Sequence, residues 1–280
     1  MIEDELKRSR RYMLKTIKAG GRELPCLTLD NVARVEAMIL NDAAYLNTSN
    51  VDAGPSEEWN NAVTKYIQSG TMDFIKGEKG STAYWMSQLR KSIKNQKAML
   101  DFNIVFSAVC AVDRENSTHL NADNCGRGEL TERILKYSPE DLFRVLRIPS
   151  PDYELIKVLS EKTNGGKGRN NFSFATKFCH YAAFYLFDDE AKDNFSIYDN
   201  VVKKALPLYI SFYADELGWD KQCKKTRWLL ENRQSYETGN KYGERYLSYL
   251  DTIDKLRKIS IPPISRNGFD HLLWYYFKGR

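Results

Sequence analysis

Lys177 is an unusual residue for its surroundings. It lies in NNFSFATKFCHYAAFYLF, a run patterned as an apolar, aromatic helix. At 100° per residue its helical neighbours are Ser173, Phe174, His180, Tyr181, Phe184 and Asp188, an aromatic stripe rather than a polar one. Two readings of the residues follow. In one, the stem of the lysine lies along the rings and its ammonium reaches water. In the other, the amine is partly desolvated, and burial together with nearby cations lowers its pKa. It is then a neutral nucleophile near pH 7, as Schiff-base chemistry requires. Asp199 follows 22 residues later, between the apolar run FSIY and the helical run NVVKKALPLY. Its simplest role is to cap that helix. A carboxylate fixed in this way also suits stabilising a cation in a reaction.

The elements that must carry these residues read as helices. TLDNVARVEAMILNDAAYL has Asp30 or Asn31 as its cap, and SEEWNNAVTKYIQSG opens on a cap-and-acid signature. YWMSQLRKSIKNQKAMLDFNIVFSAVCAV passes from polar to apolar as two helices. SPEDLFRVLRI starts on Ser-Pro-Glu-Asp, and SPDYELIKVLSEKT repeats that start. Alternating strand patterns are scarce, and ISIPPIS is broken by prolines. The expected fold is all-α, a multi-helix bundle. A soft boundary near residue 95 separates an N-terminal helical region (1–95) from a second region (96–280), unless the two form one domain.

Composition sets the outer limits. The chain has 280 residues, 42% hydrophobic and 28% charged, as expected of an ordinary globular protein. No apolar run is long enough to span a membrane. The N-terminus lacks the core of a signal peptide, so a cytoplasmic location is expected. Five scattered cysteines fit reduced thiols. Cys110, His119 and Cys125 lack the paired spacing of a zinc site, so no metal is expected.

The net charge of +5 is unevenly spread. Residues 162–178 hold Lys162, Lys167, Arg169 and Lys177 without an acid. Residues 76–97 hold Lys76, Lys79, Arg90, Lys91, Lys94 and Lys97 against Glu78 alone. Each cluster by itself fits a solvated helix face; the two together point to a phosphate backbone.

FATKFCHYAAF…FSIYDNVV resembles the core of the helix-hairpin-helix DNA glycosylase superfamily, in particular its 8-oxoguanine DNA glycosylase branch. The likeness is local, about residues 165–206, and extends loosely over 96–280 through SRNGFDHLLWYYFKG. By this resemblance Lys177 matches the Schiff-base lysine and Asp199 the essential aspartate, with FDDEAKDN absorbing a slightly longer spacing. The family hairpin carries glycines before its Thr-Lys pair, where this chain has Ser173 and Ala175. Gly165, Gly166 and Gly168 lie earlier, in NGGKGRN. Either that loop contacts the DNA backbone with Lys167 and Arg169, or phosphate anchoring is weaker than in typical members.

The resemblance implies base excision from double-stranded DNA, with the target nucleotide flipped into a pocket. Asp199 would stabilise the positive charge on the sugar. Lys177 would attack C1′, giving an imine that permits β-elimination. No metal or redox cofactor is needed. Tyr181, one turn after the lysine, would flank the base, and Phe269 or Trp274 would cover its other face. Ser173 and His180 join Lys167 and Arg169 as candidates for backbone contact, although a hydrogen-bonded structural histidine also fits His180. The substrate would be an 8-oxoguanine-like purine in repair, or a modified base in defence against phage. The competing class is a non-catalytic helical nucleic-acid-binding module that keeps the fold. GEKGST at 77–82 lacks the ending of a phosphate loop, and no nucleophile elbow suggests a hydrolase.

Overall fold

Helical periodicity dominates the sequence and helices dominate the structure, a computed structural model. It describes residues 14–40, 82–95, 99–116, 118, 120, 126–149, 153–163, 170–218 and 242–278. The elements in order are β1 (Thr16–Ala19), β2 (Arg22–Pro25), α1 (Leu29–Leu40), α2 (Thr82–Lys94), α3 (Phe102–Asn116), α4 (Gly126–Leu135), α5 (Pro139–Arg147), α6 (Glu154–Ser160) and α7 (Phe172–Leu186). After a 3-10 turn (Glu190–Asp193) come α8 (Asn200–Phe212), α9 (Ala214–Leu217), α10 (Tyr242–Arg257) and α11 (Arg266–Lys278). The chain divides into two compact units. One gathers residues 1–74, 200–223 and 253–280, and the other 75–199 and 224–252.

In the first unit, Gly20 and Gly21 turn the chain between β1 and β2, which pair antiparallel with Thr16 opposite Pro25. Their φ values of 54° and 73° suit glycine, and two such residues make the tight turn that matches strand twist. This hairpin is the exception to the all-helical expectation; its Gly-Gly signal stands in KAGGRE. Asn31, expected as a cap of α1, instead pins the hairpin. Its side chain accepts from the Lys15 amide at 3.0 Å and donates to the carbonyls of Lys15 and Cys26 at 2.8 and 2.9 Å. The cap is Thr28, whose hydroxyl accepts from the Asn31 amide at 3.3 Å. Helix α11 packs on α1, α8 and β2. A Cβ at Gly268 would meet Val32 at 2.7 Å, so α1 and α11 approach closely there. Asp254 accepts from Arg257 at 2.8 Å and from Arg266 at 2.9 and 2.6 Å, tying the end of α10 to the start of α11.

In the second unit, α7 packs against α2, α3, α5, α6 and the 3-10 turn. A helix surrounded by neighbours must be apolar on most faces, and 11 of its 15 residues are buried. The change from polar to apolar sequence near residue 95 lies inside this unit, between the packed helices α2 and α3. Helix α5 starts as its sequence predicts, with Ser138 accepting from the Asp141 amide at 3.0 Å and Pro139 in the first turn. Residues 150–152 lie outside the described residues, and α6 begins after Tyr153, whose left-handed φ of 49° breaks the helix there. The Tyr153 ring meets the edges of Phe195 and Tyr246 at 5.8 and 5.0 Å, packing that holds this backbone.

Asp113 on α3 is a second buried anchor. It accepts from the Thr118 hydroxyl at 2.6 Å, the Leu120 amide at 3.0 Å and Arg127 at 2.8 Å. Burial pushes its carboxyl up, but these three donors outweigh burial and hold it below the usual carboxylate range.

Candidate active site

The site is built on two pieces of the second unit, α7 and the extended segment Phe195–Asp199. At the start of α7, the Phe172 amide donates to the Asn170 side chain at 2.8 Å, and the Asn171 side chain donates to the Glu161 carbonyl at 3.0 Å. Arg133 donates to the carbonyls of Val158, Glu161 and Lys162 at 3.3, 2.7 and 2.8 Å, closing the end of α6. The end of α6 and the start of α7 are thereby tied to each other.

Residues 195–199 are all buried, yet they belong to neither helix nor sheet. Backbone polar groups in such a place need side-chain partners. Here α7 and α10 supply them. His180 Nδ1 lies 3.2 Å from the Phe195 carbonyl. The Tyr246 hydroxyl accepts from the Ser196 amide and donates to the Ser196 carbonyl, both at 2.8 Å. The Tyr249 hydroxyl donates to the Ile197 carbonyl at 2.5 Å. Thr176 Oγ1 accepts from the Tyr198 amide at 3.1 Å. The rings pack on one another, Phe172 against Tyr198 at 5.1 Å and Tyr198 against Tyr249 at 5.3 Å.

This clamp delivers Asp199 to Lys177. Lys177 Nζ lies 3.5 Å from Asp199 Oδ2, with the two side chains 4% and 7% exposed. The separation is longer than the roughly 2.9 Å of a tight charge-assisted hydrogen bond, so this is an ion pair rather than a short, directed bond. The amine does not snorkel to water. It is buried in an aromatic setting with a carboxylate beside it, the two residues that the resemblance singles out.

The other candidates are placed as follows. Tyr181 is half-buried on α7, its ring edge-on to His180 at 5.1 Å. His180 is 1% exposed, and its ring stacks on Phe184 at 6.4 Å. Its contact with the Phe195 carbonyl fits the structural histidine that the sequence also allows. Ser173 sits in the first turn of α7, half-buried, with its carbonyl accepting from Thr176 at 3.1 Å. Lys167 and Arg169 lie outside the described residues.

Phe269 and Trp274 belong to α11 of the first unit. Phe269 is fully buried there, its ring 6.2 Å from that of Tyr209. Trp274 is half-buried.

The basic stretch 76–97 is partly neutralised. Arg90 donates to Asp188 Oδ1 at 2.9 Å and makes a second, shorter contact with Oδ2; Lys94 lies 3.9 Å from the same carboxylate. Lys91 is exposed. Among the described residues no group of three His, Cys, Asp or Glu side chains is placed to hold a metal. Burial pushes the Cys110 thiol up against the opposing pull of Arg127, and His119 and Cys125 lie outside the described residues. No described helix is long and apolar enough to cross a membrane.

Sequence reasoning missed the clamp. Tyr246 and Tyr249 stand three apart in GERYLSYL, a spacing that puts both on one helix face. Thr176 was visible only as the neighbour of the lysine. No protein-family model matches the chain, and no curated protein or solved structure matches it either.

Proposed function

We propose that this protein is a DNA glycosylase with Schiff-base lyase activity, acting on a damaged or modified base in duplex DNA, with an 8-oxoguanine-like purine as the first substrate to test. The observation that carries the reading is the approach of the Lys177 amine to the Asp199 carboxylate, 3.5 Å apart in an aromatic, buried setting. In this reaction the bond from C1′ to the base nitrogen breaks, and its electron pair leaves with the base, which takes up a proton. The charge left on the sugar faces Asp199, a carboxylate held in place before the reaction begins. The Lys177 ammonium gives up the proton that the departing base takes up, and the amine so freed forms the new bond to C1′. Opening of the sugar ring then gives the imine, and loss of a C2′ proton expels the 3′ phosphate. No step needs a metal or a redox group.

Burial of the pair favours a second reading. Side chains only 4% and 7% exposed also describe a structural ion pair in a helical nucleic-acid-binding module without chemistry. Borohydride capture separates the two. Duplexes carrying 8-oxoguanine, other modified purines or an abasic site are incubated with the protein and reduced. A covalent complex that forms with wild type and is lost in Lys177→Gln supports the enzyme. Absence of any complex removes the lyase and leaves the binding module, whereas equal capture by Lys177→Gln removes Lys177 as the residue that forms the imine. Base release that persists in Lys177→Gln would instead point to water as the nucleophile.

A further inference from the structure

Two hydrogen bonds of the clamp lie one and two residues from the ion pair. Thr176, beside Lys177, accepts at Oγ1 the amide of Tyr198, beside Asp199, at 3.1 Å. The hydroxyl proton is already committed to the Ser173 carbonyl at 3.1 Å, which turns a lone pair towards Tyr198. From the other side the Tyr249 hydroxyl donates to the Ile197 carbonyl at 2.5 Å. Thr176 and Tyr249 are both 0% exposed, so water does not stand ready to replace either group.

We infer that Thr176 and Tyr249 are positioning residues that set the distance between the Lys177 amine and the Asp199 carboxylate. Thr176 fixes the register of residues 198–199 along α7, and Tyr249 holds the same segment from α10. The hydroxyl of Thr176 thus does for the pair what a strand partner does in a sheet. The inference rests on the proposed reaction for its kinetic consequence, whereas the placement of the pair can be tested without any reaction.

The test uses the full chain as wild type, Thr176→Val, Thr176→Ser and Tyr249→Phe. Competitive acetylation with acetic anhydride, read by mass spectrometry, gives the reactivity of Lys177 relative to the exposed Lys91 and Lys204. Valine keeps the shape of threonine and removes the acceptor; serine keeps the acceptor. Thr176→Val and Tyr249→Phe should raise the relative reactivity of Lys177 by about tenfold, the effect of one lost buried hydrogen bond, and Thr176→Ser should return it to the wild-type value. If all the variants leave Lys177 as protected as in wild type, or if serine fails to restore protection, the inference is overturned. Should Thr176→Val expose every lysine by unfolding, Tyr249→Phe decides alone: a raised Lys177 supports positioning and an unchanged one ends it. If wild type captures lesion DNA, Thr176→Val should lower kcat by about tenfold or more with KM unchanged, and a change confined to KM would contradict the role. If wild type captures nothing, the enzyme reading fails and the acetylation pattern still settles the positioning role.

Discussion

Replacing one member of a buried ion pair is a harsher change than replacing both, because the survivor keeps its charge and loses its counter-charge. Lys177 and Asp199 meet that condition, at 3.5 Å with almost no exposure. Lys177→Met and Asp199→Asn should each destabilise the fold by about 3 kcal/mol, and the double variant by clearly less than the sum. Urea unfolding of the four proteins measures this, and additive losses would mean that the two charges do not sense each other. Lys177→Arg separates stability from chemistry. Its guanidinium keeps the positive charge but stays protonated and is no nucleophile. It should retain most of the stability lost in Lys177→Met while giving no borohydride-trapped complex. Capture by the arginine variant would assign the imine to another lysine.

The extended run from Phe195 to Asp199 is an element without a ladder, since its polar backbone is satisfied by the side chains of His180, Tyr246, Tyr249 and Thr176. Hydrogen exchange should therefore find the amides of Ser196 and Tyr198 protected as strongly as those inside α7, although neither lies in a helix. Tyr246→Phe should expose the Ser196 amide selectively, leaving Tyr198 protected; loss at both would mean that the segment melts as one. This element also marks the limit of what the sequence revealed. Helices with a local signal were legible, such as α5 with its Ser-Pro-Glu-Asp start. The odd placement of Lys177 and Asp199 in FATK and FSIYD was legible too. The hydrogen bonds that bring them together were not, because Tyr246 lies 50 residues beyond Ser196, and no local pattern encodes such a pairing. The start expected at Ser150 falls outside the described residues, and the described part of α6 begins after Tyr153, whose backbone is left-handed. The β hairpin carried its own Gly-Gly signal, which helical periodicity elsewhere overshadowed.

At the scale of the whole molecule, the charge that matters most for stability is buried rather than spread over the basic stretches. Pairs such as Arg147 with Asp189 lie at the surface, where solvent screens them. Asp113 in one unit and Asp254 in the other are different: burial raises both carboxyls, and their donors more than reverse it. For Asp113 these donors are Thr118, Leu120 and Arg127, and for Asp254 they are Arg266 and Arg257. Each carboxyl is thus held below its ordinary value in the folded chain. As pH falls, the unfolded chain takes up these protons first, so it binds more protons than the folded chain across that interval. The stabilisation is complete above the ordinary carboxylate value of about 3.9 and is lost as pH drops through the lower folded values. Urea midpoints should therefore owe no slope to these two groups near neutral pH and should fall below about pH 4. Asp113→Asn and Asp254→Asn should each lower stability at neutral pH and flatten the acid limb, so that variant and wild-type curves converge in strong acid. Curves that stay parallel down the acid limb would show that neither carboxylate is held by its arginine in solution.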